Sequence, residues 1–94
     1  MKTFARALRR WREEAGLTQK DVARSLGHAE GTGGQFVSNW ERGISIPPID
    51  DFGKLARLYR VPMREFVGVL YQHRVEQAKL ERRAIYRRMK AKQA

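Results

Sequence analysis

The sequence predicts an all-α protein of five helices, the last of them extended and basic. Three observations carry this. Apolar residues recur at steps of three and four in each segment. The segments are separated by helix breakers, at Gly16, at Gly31 to Gly34, at Gly43 and at Pro47, Pro48 and Pro62. After Pro62 no stop occurs until about Lys90.

Helix 1 is expected over Thr3 to Ala15, with Phe4, Leu8, Trp11 and Ala15 on the buried side and Gly16 as its end. Thr18 can cap the next helix, because Asp21 stands three places on and can reach back to the cap as a capping-box acid. Val22, Ala23 and Leu26 then form a short buried stripe. The glycines at 31, 33 and 34 defer the third helix to Gln35. It ends at Gly43.

At about 100° per residue, Val37, Trp40 and Glu41 share one side of this third helix, while Gln35, Ser38, Asn39 and Arg42 share the other. An inward Glu41 needs a charged partner. The outward amides, hydroxyl and guanidinium suit the major groove of DNA. Gln and Asn can bond the N6 and N7 edge of adenine, and Arg can hold guanine or phosphate. Phe36, one step round, can touch a thymine methyl or pack in the preceding turn. Taken alone, such residues are more often an ordinary solvated face.

Beyond Gly43, the prolines at 47 and 48 hold Ile44 to Pro48 as a linker. A fourth helix is expected from about Ile49, with Asp50 and Asp51 complementing the dipole in its first turn and Phe52, Leu55, Ala56 and Tyr59 facing inward. The fifth starts at Pro62, and Phe66, Val67 and Leu70 complete the core. Composition then shifts. From Arg74 onward eight basic residues stand against Glu76 and Glu81, so this tail holds +6 of the net charge of +10. Residues 1–72 therefore read as the folded domain and 73–94 as a basic helical extension. Tyr71, Val75, Ala78, Arg82, Ile85 and Met89 form a weak heptad seam along it. Two readings stay open: a helix that pairs with its twin or packs on its own domain, or a solvated arm that orders on DNA. Glu76 and Glu81, at helical spacing from basic residues, favour the first.

A chain of 94 residues, 41% hydrophobic, suits one domain with a modest core. Its 20 Lys and Arg against 10 Asp and Glu point to a polyanionic partner, nucleic acid before an anionic membrane. The tail's apolar face is narrow and lacks Trp, which disfavours a membrane role. The absence of cysteine excludes disulfides and thiolate sites and fits a reducing cytoplasm. The opening MKTFARALRRWREE has no continuous apolar core and reads as neither signal peptide nor span. No cofactor is implied. His28 and His73 lack partners at metal-ligand spacing, the glycines lack the strand and lysine of a phosphate loop, and Asp50 and Asp51 lack a base, so no catalytic or metal site is expected.

The ordered set of Leu8, Trp11 and Arg12, then Gly16-Leu17-Thr18-Gln19, Leu26-Gly27, Glu41-Arg42-Gly43, Pro47, Leu55-Ala56 and Val61-Pro62 resembles the Cro and phage-repressor type of helix-turn-helix family, from about Leu8 to Phe66. The turn from His28 to Gly34 is about four residues longer than is usual there. The resemblance implies a lambda-repressor-like fold and a structural ion pair between Arg12 and Glu41. It further implies base reading by Gln35, Phe36, Ser38 and Asn39, and phosphate binding by Thr18, Gln19, Lys20, Arg42 and Ser45. Gln19 matches a glutamine that braces a phosphate and the recognition helix together, and the N–H groups at the start of helix 2 favour the same anion. The function implied is a cytoplasmic transcription regulator, most often a repressor, binding a palindromic operator in double-stranded DNA as a homodimer. The rival is an antitoxin-like module that caps a partner protein through the tail.

Overall fold

The computed structural model describes residues 3–27 and 33–93. Among them the chain forms α1 (Thr3–Glu14), α2 (Gln19–Ser25), α3 (Gly33–Glu41), a 3-10 turn (Ile49–Asp51), α4 (Phe52–Leu58) and α5 (Met63–Gln93), with no strand. The lengthened turn falls largely on residues 28–32, outside the described residues.

One terminating device recurs. Gly16, Gly27 and Gly43 have φ of 72°, 84° and 77°, and Arg60 has φ of 57°; each stands two residues past the last residue of a helix. A left-handed residue there turns the chain and lets the next N–H groups reach back to the last carbonyls. After α1 the Leu17 N–H bonds Arg12 O at 3.2 Å, after α3 the Ile44 N–H bonds Asn39 O at 2.9 Å, and after α4 the Val61 N–H bonds Ala56 O at 2.9 Å. The start of α2 is equally defined. Thr18 Oγ1 accepts from the Asp21 N–H at 3.0 Å, and the Thr18 N–H donates to Asp21 Oδ2 at 2.9 Å.

Phe66 is the centre of the core. Its ring meets Phe4 edge-on at 5.6 Å, stacks on Trp11 at 5.4 Å and leans on Phe52 at 5.4 Å, so that one fully buried side chain ties α1, α4 and α5. Aromatic contacts of this kind add to the burial of large apolar area. Val22, Ala23 and Leu26 of α2 and its turn, with Val37 and Trp40 of α3, belong to the same core.

Several expected boundaries move. α3 starts at Gly33, two residues before Gln35, because a helix's first-turn N–H groups have no intrahelical acceptor and glycine is tolerated there. The fourth helix divides, with Asp50 and Asp51 in the 3-10 turn and α4 beginning at Phe52. Pro62 precedes α5 and accepts from the N–H groups of Glu65 and Phe66 at 2.9 and 3.1 Å, so it caps the helix from outside. Ala15 is only half-buried. Val67 is exposed, since one step of about 100° turns it off the side that buries Phe66 and Leu70. Glu76 accepts from Thr3 Oγ1 at 3.0 Å, tying α5 to the start of α1 and not to a basic neighbour along the tail. From Ala78 to Ala91 every residue is exposed. From Ala78 onward the seam therefore does not pack on the domain that carries it, whereas Val75 is half-buried.

Candidate nucleic-acid interface

Helices α2 and α3 pack on each other through Val22, Ala23, Val37 and Trp40, and α3 is fastened at its C-terminal end by charge. Arg12 Nε donates to Glu41 Oε2 at 2.6 Å and Nη2 donates to Oε1 at 3.1 Å, a two-pronged pair that joins α1 to α3. The side chains are 13% and 4% exposed. A buried carboxylate is tolerable only when its lone pairs are met. Gln19 Nε2 supplies a third donor to Oε1 at 3.2 Å from the start of α2, and Arg12 Nη1 donates to Leu17 O at 2.9 Å in the turn between. The bond to Glu41 holds the Arg12 guanidinium above its ordinary value, against the desolvation of burial. Tyr59 is buried on the α4 side of this pair. Burial, with the Glu41 charge adding and Arg12 opposing, pushes its phenol well above the usual range and keeps it neutral.

That fastening orients the rest of α3. Gln35 and Phe36 are exposed, Ser38 and Asn39 are half-buried, and Val37 and Trp40 are turned into the core. Phe36 shows 49% of its surface, a large apolar group on the side that Gln35 shares. At the far end the Asn39 carbonyl accepts from the N–H groups of Ile44 and Ser45 at 2.9 and 3.4 Å, which draws the linker against the helix and places exposed Arg42 and Ser45 beside its last turn.

Thr18, Gln19 and Lys20 gather at the start of α2. The capping box occupies the N–H groups of Thr18 and Asp21, and those of Gln19 and Lys20 have no intrahelical acceptor. The Thr18 hydroxyl accepts one bond and keeps its own proton to donate. Lys20 is exposed, and its stem lies over the first turn of α3: a Cβ built on Gly34 would stand 3.5 Å from Lys20 Cγ. Cationic, hydroxyl and amide groups from α2, α3 and the linker thus surround one half-exposed helix face, an arrangement suited to phosphates at the edges and base edges between.

Sequence reasoning did not single out the Leu17 carbonyl or Tyr59 as neighbours of the ion pair. Only the five-residue interval from Arg12 to Leu17 hinted at the first. Among the described residues no group of three or more His, Cys, Asp or Glu stands close enough to hold a metal, and no helix is long and apolar enough to cross a membrane.

A short capped helix packed on a second helix with a polar outer face defines a helix-turn-helix unit, and with it a DNA-binding class of protein. A family model described as helix-turn-helix matches residues 8–66, more than half of the chain. The protein belongs to that family, the Cro and C1-repressor type, and is a DNA-binding helix-turn-helix regulator. No curated protein and no solved structure matches it significantly.

Proposed function

We propose that the protein is a sequence-specific transcriptional repressor that binds a palindromic operator as a homodimer. The observation that carries this reading is the outward face of α3, with Gln35, Phe36, Ser38 and Asn39, held in place by the buried pair of Arg12 and Glu41. Gln35 and Asn39 bond base edges, adenine being the base each can meet bidentately. Ser38 adds a hydroxyl, and Phe36 lies against a thymine methyl. Thr18, Gln19, Lys20, Arg42 and Ser45 take phosphates on either side and set the register.

Two copies of a chain with net charge +10 repel, so a dimer contact needs an uncharged surface. The linker supplies one. Ile44, Ile46 and Ile49 are all exposed in a stretch without charge from Gly43 to Ile49, stiffened by Pro47 and Pro48 and adjoining the end of α3. A twofold contact there sets two α3 helices into successive major grooves, about 34 Å apart along the duplex. Occupying a promoter in this way excludes other proteins from it.

Selection of bound fragments from random DNA tests the whole reading. A consensus of two inverted half-sites about one helical turn apart supports it. A single asymmetric site, or no consensus, overturns the dimeric and sequence-specific parts respectively.

A further inference from the structure

The distal part of α5 has no task in the interface described above. Phe66 sits over α1 between Phe4 and Trp11, and Glu76 meets Thr3, so α5 runs toward the N-terminal end of α1 and on past it. The groups proposed to touch DNA gather at the other end of α1, where Arg12 and Leu17 meet Glu41 and Gln19. Residues 78–93 therefore project away from the DNA face as a rod about 24 Å long at about 1.5 Å per residue.

Their surface is ordered by chemistry. At about 100° per residue, Val67, Tyr71, Ala78, Ile85 and Met89 fall within about 40° of one another, some 100° round from the side that buries Phe66 and Leu70. Tyr71, Ile85 and Met89 are each more than half exposed. Cations edge this ridge on both sides, Arg74 and Arg88 on one and Arg82 and Lys79 on the other, with Glu81 the acid among them.

The charges choose the occupant. A parallel pair of these helices brings Arg82 against its own copy. An antiparallel pair that sets Tyr71 opposite Met89 and Val75 opposite Ile85 brings Lys79 to Lys79 and Glu81 to Glu81. Nucleic acid would satisfy the cations and leave the apolar ridge wet. A bilayer asks for a broader apolar face than about 40°. We infer that residues 78–93 form a docking helix for an acidic partner protein, one that presents an apolar ridge edged by Asp or Glu. The ridge supplies the burial, and the two cationic edges supply steering and discrimination. This inference stands on α5 alone and is independent of the repressor reading.

The test uses the full chain and a labelled helical peptide of about three heptads, with Leu along its seam and Glu on both edges, at about 0.15 M salt. Two control peptides carry the same residues shuffled and Gln in place of Glu. The full chain binds the acidic peptide at least about tenfold more tightly than either control, and the variant Ile85→Glu/Met89→Glu loses at least about tenfold. Tryptophan-monitored melts of that variant match the parent, since both positions lie beyond the contacts with the domain. Equal affinity for the shuffled peptide, or no loss in the variant, reduces the binding to bulk charge and overturns the inference. So does tail-dependent self-association in sedimentation, or tighter tail-dependent binding of a random duplex or of anionic lipid vesicles at the same salt; these assign the helix to a second copy, to nucleic acid or to a membrane.

Discussion

Glu41 receives three hydrogen bonds from two other helices, and removing either charge of the Arg12 pair leaves the other largely buried without its counter-ion. Arg12→Met or Glu41→Leu alone is expected to cost about 3 kcal/mol, and the double substitution to recover much of the loss, because a buried pair replaced by apolar side chains no longer has ions to desolvate. Thermal melts decide: a double variant that melts no higher than the worse single variant means that pairing is not what stabilises these positions. Gln35→Ala and Asn39→Ala are each expected to weaken operator binding by about 1 to 3 kcal/mol and random DNA far less. Titrations against both duplexes check this, and equal losses would make the two residues mere positioners. Asp21 titrates differently. The Thr18 N–H holds its carboxyl below the usual carboxylate range. A lowered folded-state pKa stabilises above the unfolded value and is lost as pH falls through the lowered one. Acid melts of Asp21→Asn should therefore lack part of the parent's decline below about pH 4; a superimposable decline would clear the capping box of any part in it. Glu41's inward side was legible on a helical wheel, since Val37 and Trp40 share it. Gln19 was signalled only by the family resemblance, and the Leu17 carbonyl that accepts from Arg12 was not legible, because it meets the guanidinium only once the turn after α1 has packed.

Helix existence was legible wherever an apolar stripe ran between breakers, and helix ends were legible where glycine stood at the turn. Where the terminating residue is Arg60, or where the start is a 3-10 turn, local composition carries no such mark, and the boundaries shift by one to three residues. The start of α3 is the instructive case. Gly33 and Gly34 read as breakers, yet Gly34 lies in a helix with room beside it: a Cβ there meets only Lys20 Cγ, at an ordinary 3.5 Å. Gly34→Ala should then raise the stability of α3 by about 0.5 to 1 kcal/mol, by restricting the unfolded chain. The check is a higher melting temperature with operator affinity retained; a lower one would mean that the first turn of α3 needs glycine for a closer approach. Gly43, at φ of 77°, offers the contrast, since alanine there is strained however much space surrounds it.

The molecule as a whole separates its two charge-bearing ends. Ending the chain after Gln77 spares the Glu76 bond to Thr3 and removes only the projecting turns. The shortened protein should keep its melting temperature and operator sequence, and its plot of log K against log salt should lose no more than about 0.9 in slope, the equivalent of one phosphate contact. A loss of several times that figure would return the tail to the DNA. The same projection governs how the protein moves through liquid. Its radius of gyration is 16.3 Å, with extents of 54 × 29 × 21 Å, whereas a compact chain of this length has a radius near 12 Å. A rod on a globule drags more solvent than its mass implies. It elutes early from a sizing column and tumbles slowly end over end, so a monomer of this chain counterfeits a dimer in any method calibrated on spheres. Cutting the rod away shifts elution sharply even where the number of subunits never changes.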